Sequence, residues 1–141
     1  MPAPDPRTGI VKEWVDRAED DRLAARQLLR LGKAAPVPII CFHAQQAAEK
    51  YLKSLIVSEG LEVPRTHQID RLLKIIARSI RPDISADDAD LLTDYAVAAR
   101  YPGERGPTEL REARLAIKLT EKIRRQVRTS LPTGIFKRHT K

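Results

Sequence analysis

The chain has 141 residues, the length of one domain, which leaves no room for a second full domain. Hydrophobic residues make up 42% and aromatic residues only 4%, so the core must be aliphatic, and this composition favours helices. No apolar stretch approaches the roughly 20 residues that cross a bilayer, and the N-terminus lacks the pattern of a secretion signal. We therefore expect a cytoplasmic domain without a membrane partner, in which the lone Cys41 is a buried thiol.

The first two helices are predicted from their end signals. Residues 1–8, rich in Pro, are expected to be a flexible N-terminal segment, and Thr8 is a plausible cap for a helix over residues 9–31 that stops at Gly32. Asp21 lies on the apolar stripe of this helix, where an acid needs a partner. The prolines of the linker KAAPVP suit the start of a second helix, which runs to about Glu59 before Gly60.

Three further helices follow. Thr66 is positioned to cap a third helix over residues 67–79, and Ser85 with Asp88 has the spacing of a capping box that opens a fourth. Pro102 should end the fourth helix, and Thr108 is the predicted cap of a last long one. No segment alternates as a strand does, so residues 9–131 predict an all-α, up-and-down bundle of about five helices, followed by a basic tail over 132–141.

The positive charge is concentrated at the C-terminal end. The formal net charge is +7, yet residues 1–110 carry 16 Lys and Arg against 17 Asp and Glu, whereas residues 111–141 carry ten against two. Such a segment either binds phosphates or is a solvated helix face whose cations favour the negative end of the helix dipole. In the first interpretation, Arg124, Arg125 and Arg128 are candidate contacts for phosphate or RNA.

The second helix combines an apolar face with a polar stripe. His43, Gln46 and Lys50 fall within about 60° of one another on a helix. An imidazole, an amide and an ammonium together can hydrogen-bond a base edge and neutralise a phosphate, as a nucleotide site requires. The alternative is a structural network in which Lys50 or His43 meets Asp21 of the first helix. The pattern alone leaves both interpretations open.

Metal and cofactor chemistry have no support in the spacing of the residues. The three histidines, His43, His67 and His139, are scattered, and the sequence contains no HxxxH, HExxH or CxxC. None of the six glycines falls in a phosphate-binding GxGxxG or GxxxxGK[ST] pattern, and no nucleophile elbow is present. We therefore predict no metal site and no cofactor.

Three runs of residues carry a resemblance to a known family. They are FHAQQAAEKYLK with the following SL at residues 42–55, which is the specific part, then THQI at 66–69 and RYP at 100–102. Together they resemble the HEPN domain family over roughly residues 10–130. The resemblance implies a helical bundle that homodimerises, is often encoded beside a minimal nucleotidyltransferase, and sometimes acts as the toxin of a toxin–antitoxin pair.

The chain departs from the ribonuclease members of that family, many of which carry an arginine followed after four to six residues by a histidine. Arg100 has the matching position, but no histidine follows it at that spacing. Without that general acid–base, the resemblance implies binding at His43, Gln46, Lys50, Arg100 and Tyr101 rather than cleavage. We expect a non-catalytic dimeric module that binds a nucleotide or RNA and works with a nucleotidyltransferase. The alternatives are an RNA-cleaving toxin using His43 or His67, and a purely structural dimerisation unit.

Overall fold

The structure is a computed structural model that describes residues 5–103 and 106–138. These residues form five α-helices and no strand: α1 (Pro6–Leu29), α2 (Val37–Ser58), α3 (Ile69–Ile75), α4 (Ala86–Arg100) and α5 (Leu110–Ser130). The predicted all-α bundle is confirmed. Across the same residues, no helix is both long and apolar enough to cross a membrane.

Helix α2 is the centre of the bundle, and it contacts each of the other four helices. Its small residues Ala44, Ala47 and Ala48 are fully or almost fully buried, which lets neighbouring helices approach closely. Its larger side chains, among them Tyr51 and Leu55, fill the space between α1, α4 and α5. Because α2 is enclosed on most sides, its polar residues must find partners inside the protein.

Helices α1 and α5 begin at cap residues other than the predicted ones. The Asp5 carboxylate accepts a hydrogen bond from the Arg7 N–H at 2.9 Å, and Pro6 occupies the first turn, so α1 starts before Thr8. Residues 6–8 of the segment predicted to be flexible are therefore helical, and residues 1–4 lie outside the described residues. At α5, the Glu112 carboxylate accepts from the backbone N–H groups of Thr108 and Glu109, and Glu109 is the cap.

Helix α3 is shorter than predicted at both ends. It begins at Ile69, with Gln68 in the cap position instead of Thr66. The Thr66 hydroxyl accepts the N–H of Gln68 at 3.2 Å, so it stabilises the turn that precedes the helix. At the other end, the chain leaves the helix at Ile76 instead of continuing to Ser79.

Three further helix ends have identifiable causes. The Arg81 guanidinium donates to the carbonyl of Ile76 at 2.8 Å, which satisfies a carbonyl just beyond the end of α3. The Ser85 hydroxyl accepts from the Asp88 N–H at the start of α4, and Gly60 follows the end of α2 with a φ of 76°. These last two end signals agree with the sequence prediction.

Part of the predicted C-terminal tail packs against the bundle. A short 3-10 turn over Thr133–Phe136 buries Ile135, and the Phe136 ring stacks on Tyr51 with centroids 6.3 Å apart. The Lys12 ammonium donates to the carbonyls of Ile135 and Lys137 at 3.3 and 2.7 Å. Residues 132–138 thus lie along α1, while the last three residues are outside the described ones.

The cysteine lies in the core. Cys41 is fully buried, and burial raises the pKa of its thiol to about 12. The prediction of a buried thiol is confirmed, and the neutral thiol has no nucleophilic character at neutral pH.

Candidate functional site

The first cluster of candidate residues lies between α1 and α2 and is centred on Asp21. The His43 Nδ1 lies 2.9 Å from Asp21 Oδ1, and the Lys50 ammonium donates to Asp21 Oδ2. The Asp21 side chain is only 14% exposed, against 29% for His43 and 22% for Lys50. The contact that the structural interpretation predicted is therefore present, and it neutralises the acid on the apolar stripe of α1.

Gln46, the third member of the predicted stripe, belongs to a second cluster. Its amide donates at 2.7 Å to Oε1 of Gln45, whose own amide donates at 3.2 Å to the Glu49 carboxylate. Glu49 also accepts from the Lys53 ammonium at 3.0 Å, and its Oε1 lies 2.8 Å from His67 Nδ1. This cluster ties the buried side of α2 to the loop before α3.

The second cluster was not predicted from the sequence, although a signal for it exists. Gln45, Glu49 and Lys53 are four residues apart in sequence, so they lie along one side of α2, and all three are buried. Burial alone would raise the pKa of Glu49, but the hydrogen bonds from Lys53, His67 and Gln45 outweigh it and hold that pKa below its usual value. Glu49 is therefore ionised at neutral pH.

A third cluster joins α1, α2 and α5 and includes Arg124, one of the candidate phosphate contacts. The Arg124 guanidinium donates to both oxygens of Glu19, at 2.6 and 3.3 Å, and the Tyr51 hydroxyl donates to the same carboxylate at 2.7 Å. Only 14% of the Arg124 side chain is exposed. Burial would raise the pKa of Glu19, but these hydrogen bonds lower it, so the carboxylate is ionised. Arg124 is thus occupied by an internal partner.

The other two arginines of that group are exposed. Arg128 lies with its guanidinium carbon 5.2 Å from the centre of the Phe136 ring, a cation–π distance, and its side chain still reaches solvent. Arg125 forms no ion pair within the described residues.

Arg125 belongs to a longer row of cations along α5, which we call the α5 basic stripe. Its members repeat every three or four residues and point away from the buried face of the helix. All are exposed except Lys122, which is half-buried, and only Arg111 has a carboxylate partner among the described residues, Glu109 at 2.6 Å. The stripe consists of Arg111, Arg114, Lys118, Lys122 and Arg125.

Arg100 and Tyr101 form no hydrogen bond or ion pair with either cluster of α2 among the described residues. Arg100 is the last residue of α4, and Tyr101, which is 60% exposed, is its C-cap. Neither side chain makes a hydrogen bond or ion pair to His43, Gln46 or Lys50 in the described part of the chain. The five residues proposed for a nucleotide site are therefore not assembled by direct contacts within one chain.

The arrangement offers two kinds of chemistry. Each of two histidines, His43 and His67, is held through Nδ1 by a carboxylate, which orients the ring as a general base is oriented. The α5 basic stripe offers a row of fixed positive charges to an anionic ligand. His139 lies outside the described residues, and within 5–103 and 106–138 no group of His, Cys, Asp and Glu is placed to hold a metal ion.

The fold and these clusters define a helical-bundle domain with an internal polar network and one basic exposed helix. The model of the HEPN domain family matches residues 11–130, and the chain belongs to this family. It is also similar to the crystal structure of TT1696 from Thermus thermophilus, with 32% sequence identity and a TM-score of 0.71, over 86% of this chain and 98% of the other. None of the curated proteins matches the chain.

Proposed function

We propose that the chain is a non-catalytic, homodimeric HEPN module that binds RNA or a nucleotide through its phosphates and works with a nucleotidyltransferase partner. One observation supports the binding part: four cations of the α5 basic stripe, Arg114, Lys118, Lys122 and Arg125, have no carboxylate partner among residues 5–103 and 106–138. Most other basic side chains on α1, α2 and α5 that face the bundle form ion pairs with carboxylates.

Binding is favoured over a merely solvated face because the stripe cations form one continuous row, whereas other exposed cations without an ion pair among the described residues, such as Arg30 and Arg65, lie on separate segments. Arg22, Arg124 and Lys50 lie next to carboxylates because the bundle buries them in part. The stripe cations are in contact with solvent and need no carboxylate to balance them. A row of unbalanced positive charge raises the free energy of the folded domain through self-repulsion. An anionic ligand removes that repulsion and releases its own counterions.

The absence of catalysis is supported by the sequence around Arg100, where no histidine stands at the ribonuclease spacing. Both described histidines are engaged by acids that also bind a lysine: Asp21 binds Lys50, and Glu49 binds Lys53. In such clusters the carboxylate balances a permanent cation as well as holding the imidazole in place. The nucleotidyltransferase partner and the dimer are properties that family membership supports.

A second candidate function, an RNA-cleaving toxin, is favoured by one specific feature. Asp21 holds His43 by Nδ1, as an orienting acid holds the imidazole of a general base, and the His43 ring keeps a part of its surface in solvent. In that case RNA would be cut, and replacing His43 by Ala would remove the activity at an unchanged melting temperature.

The test uses fluorescence anisotropy with a labelled pool of mixed RNA fragments, followed by gel analysis of the same RNA. We expect binding that weakens steeply with salt, and RNA that remains intact. The double variant Arg114→Glu/Lys118→Glu should weaken binding strongly. Its matched control, Arg65→Glu/Arg71→Glu, makes the same change in net charge at exposed positions outside α5 and should weaken it little.

Equal losses in the two double variants would show that only the overall charge attracts RNA, and absence of binding at low salt would overturn the proposal. Cleavage that disappears with His43→Ala would establish the toxin instead. ATP added as a competitor distinguishes a nucleotide site from an RNA surface, because a nucleotide offers only a few phosphates to the stripe.

A further inference from the structure

We infer that the α5 basic stripe takes the sugar–phosphate backbone of double-stranded RNA without reading its sequence. This inference rests on the proposed function and names the class of RNA. The stripe runs from Arg111 to Arg125, which at about 1.5 Å per residue is a row of about 20 Å. A row of that length meets several phosphates, whereas a single nucleotide occupies only one part of it.

Helix α5 itself offers no aromatic side chain on which single-stranded bases can stack. Proteins that bind single strands combine positive charge with aromatic side chains on which successive bases lie. No aromatic residue occurs in α5, Leu110–Ser130. The nearby Phe136 is held between Tyr51 and the guanidinium groups of Arg124 and Arg128, so its ring is already in use. A duplex, whose bases are stacked on each other, needs no such platform.

The stripe also lacks the side chains that read base edges through paired amide groups. The chain contains no Asn, and the one Gln of α5, Gln126, accepts the backbone N–H of Asp83 with its carbonyl oxygen at 2.6 Å. The Thr129 hydroxyl donates to the carbonyl of Gln126. Arginine can read guanine in an open major groove, but the major groove of A-form RNA is too deep and narrow for side chains to read. The stripe is left with phosphate contacts, which carry no sequence information, so binding should be independent of sequence.

The shape of α5 favours RNA over DNA. Residues along the full length of the helix are buried, and they are Ala113, Ala116, Leu119, Thr120, Ile123 and Val127. The helix therefore lies against the bundle and presents a low ridge, which suits a shallow groove better than the major groove of B-form DNA, about 8.5 Å deep. The wide, shallow minor groove of A-form RNA is accessible to a low ridge, and phosphates line both of its sides.

The experiment varies the nucleic acid and keeps the protein. Full-length protein is titrated into a labelled RNA duplex of about 20 base pairs, a length comparable to known duplex-binding domains. The same strand alone, an RNA duplex of unrelated sequence, and a DNA duplex of the original sequence are the comparisons. We expect the RNA duplex to bind about tenfold more tightly than the single strand, and the two RNA duplexes to bind equally. The slope of the logarithm of the binding constant against the logarithm of the salt concentration should become shallower by about one unit for each stripe cation that is neutralised.

Three other outcomes would overturn the inference in whole or in part. A single strand that binds as tightly as the duplex overturns this inference and leaves the proposed function standing. A DNA duplex that binds as tightly as the RNA duplex overturns the preference for RNA. Binding to vesicles that contain anionic lipid, with no binding to any nucleic acid, overturns both. Because Arg114→Gln/Lys118→Gln removes charge without reversing it, an unchanged thermal unfolding curve of this variant confirms that lost affinity is not lost structure.

Discussion

Arg124 and Arg125 are neighbours in the chain, and their surroundings are opposite. The Arg124 guanidinium lies against Glu19 with only 14% of its side chain exposed, whereas Arg125 is exposed on the α5 basic stripe. The 100° turn between successive helical residues is enough to move a side chain from the interface with α1 to solvent. Two arginines that look equivalent in a basic segment therefore have different roles, one in stability and the other in the proposed RNA contact.

This difference gives a prediction for Arg124 in which the neighbouring Arg125 is the control. Arg124→Ala leaves the Glu19 carboxylate without its closest cation, so we expect the free energy of unfolding to fall by about 2 kcal/mol, less than for a fully buried pair. Arg125→Ala should change stability by less than about 0.5 kcal/mol, as surface substitutions do. Urea denaturation measures both. RNA affinity should fall for Arg125→Ala. If Arg125→Ala instead lowered stability and Arg124→Ala lowered only RNA affinity, the proposed contact surface would be wrong.

Lys50 is the residue at which the structural and the binding interpretations of α2 can be separated. Removing its ammonium leaves Asp21, 14% exposed, with His43 as its remaining partner. We expect Lys50→Ala to lower stability by about 1–2 kcal/mol because a partly buried acid loses a charged partner. Thermal unfolding followed by circular dichroism measures it, with the exposed Lys33→Ala as the control. An unaltered melting temperature together with lost RNA affinity would instead assign Lys50 to the ligand.

At the scale of the helix, α2 differs from its neighbours by carrying charge on its buried side. Glu49, at 4% exposure, joins this helix to His67 in the loop before α3. Its folded pKa is held below the value of an unfolded glutamate, about 4.3. The stabilisation that ionised Glu49 contributes is therefore complete above that pH, and it is lost as the pH falls through the folded pKa.

The prediction concerns acid unfolding. The free energy of unfolding should decrease as the pH is lowered below about 4.3, and Glu49→Gln should reduce this dependence because it removes a titrating group. At pH 7 the variant should be less stable by about 1–3 kcal/mol, since Lys53 and His67 lose a charged acceptor. Urea titrations at a series of pH values measure both effects. The prediction fails if the difference between the two proteins stays constant over the acid range.

The helices could be predicted from the sequence because their signals are local. Ser85 with Asp88 opens α4, and Gly60 ends α2, and both act within one turn of the helix. The end of α3 could not be predicted, because no glycine or proline marks it and the Ile76 carbonyl just beyond it accepts a hydrogen bond from the Arg81 side chain. Helix α1 starts earlier than the sequence predicts, because the Pro-rich composition of residues 1–8 favours a loop, whereas an acid followed by proline forms a helix start there.

The polar clusters were predictable only in part. The contact of His43 and Lys50 with Asp21 follows from an acid on an apolar stripe, which must be paired. Which cations of the basic segment face inward depends on the position of Glu19, 105 residues away in sequence from Arg124. Contacts of that range are set by the packing of the whole bundle, and no local pattern reports them.

At the scale of the whole molecule, most of the exposed apolar side chains lie away from the α5 basic stripe. The row of cations lies on α5, while seven of the eight large apolar side chains that are exposed in the described part of the chain lie on other elements; the eighth, Leu115, is on α5 beside the stripe. The most exposed of these are Ile10, Leu23, Leu31, Ile39, Leu61, Val97 and Tyr101. An interface between two copies gains from covering such side chains.

The position of the α5 basic stripe restricts how two copies can pair. In a two-fold symmetric dimer the same patch of both copies meets at the axis, so a stripe at the axis would face its own positive charges. We therefore expect a homodimer whose interface leaves the stripe in solvent. Light scattering at micromolar concentration should give twice the 15.9 kDa chain mass. That mass should persist in high salt and in Arg114→Glu/Lys118→Glu, because neither change reaches the interface. A monomer at these concentrations would contradict the dimer, and dissociation of the charge-reversed variant would place the stripe inside the interface instead of at the RNA.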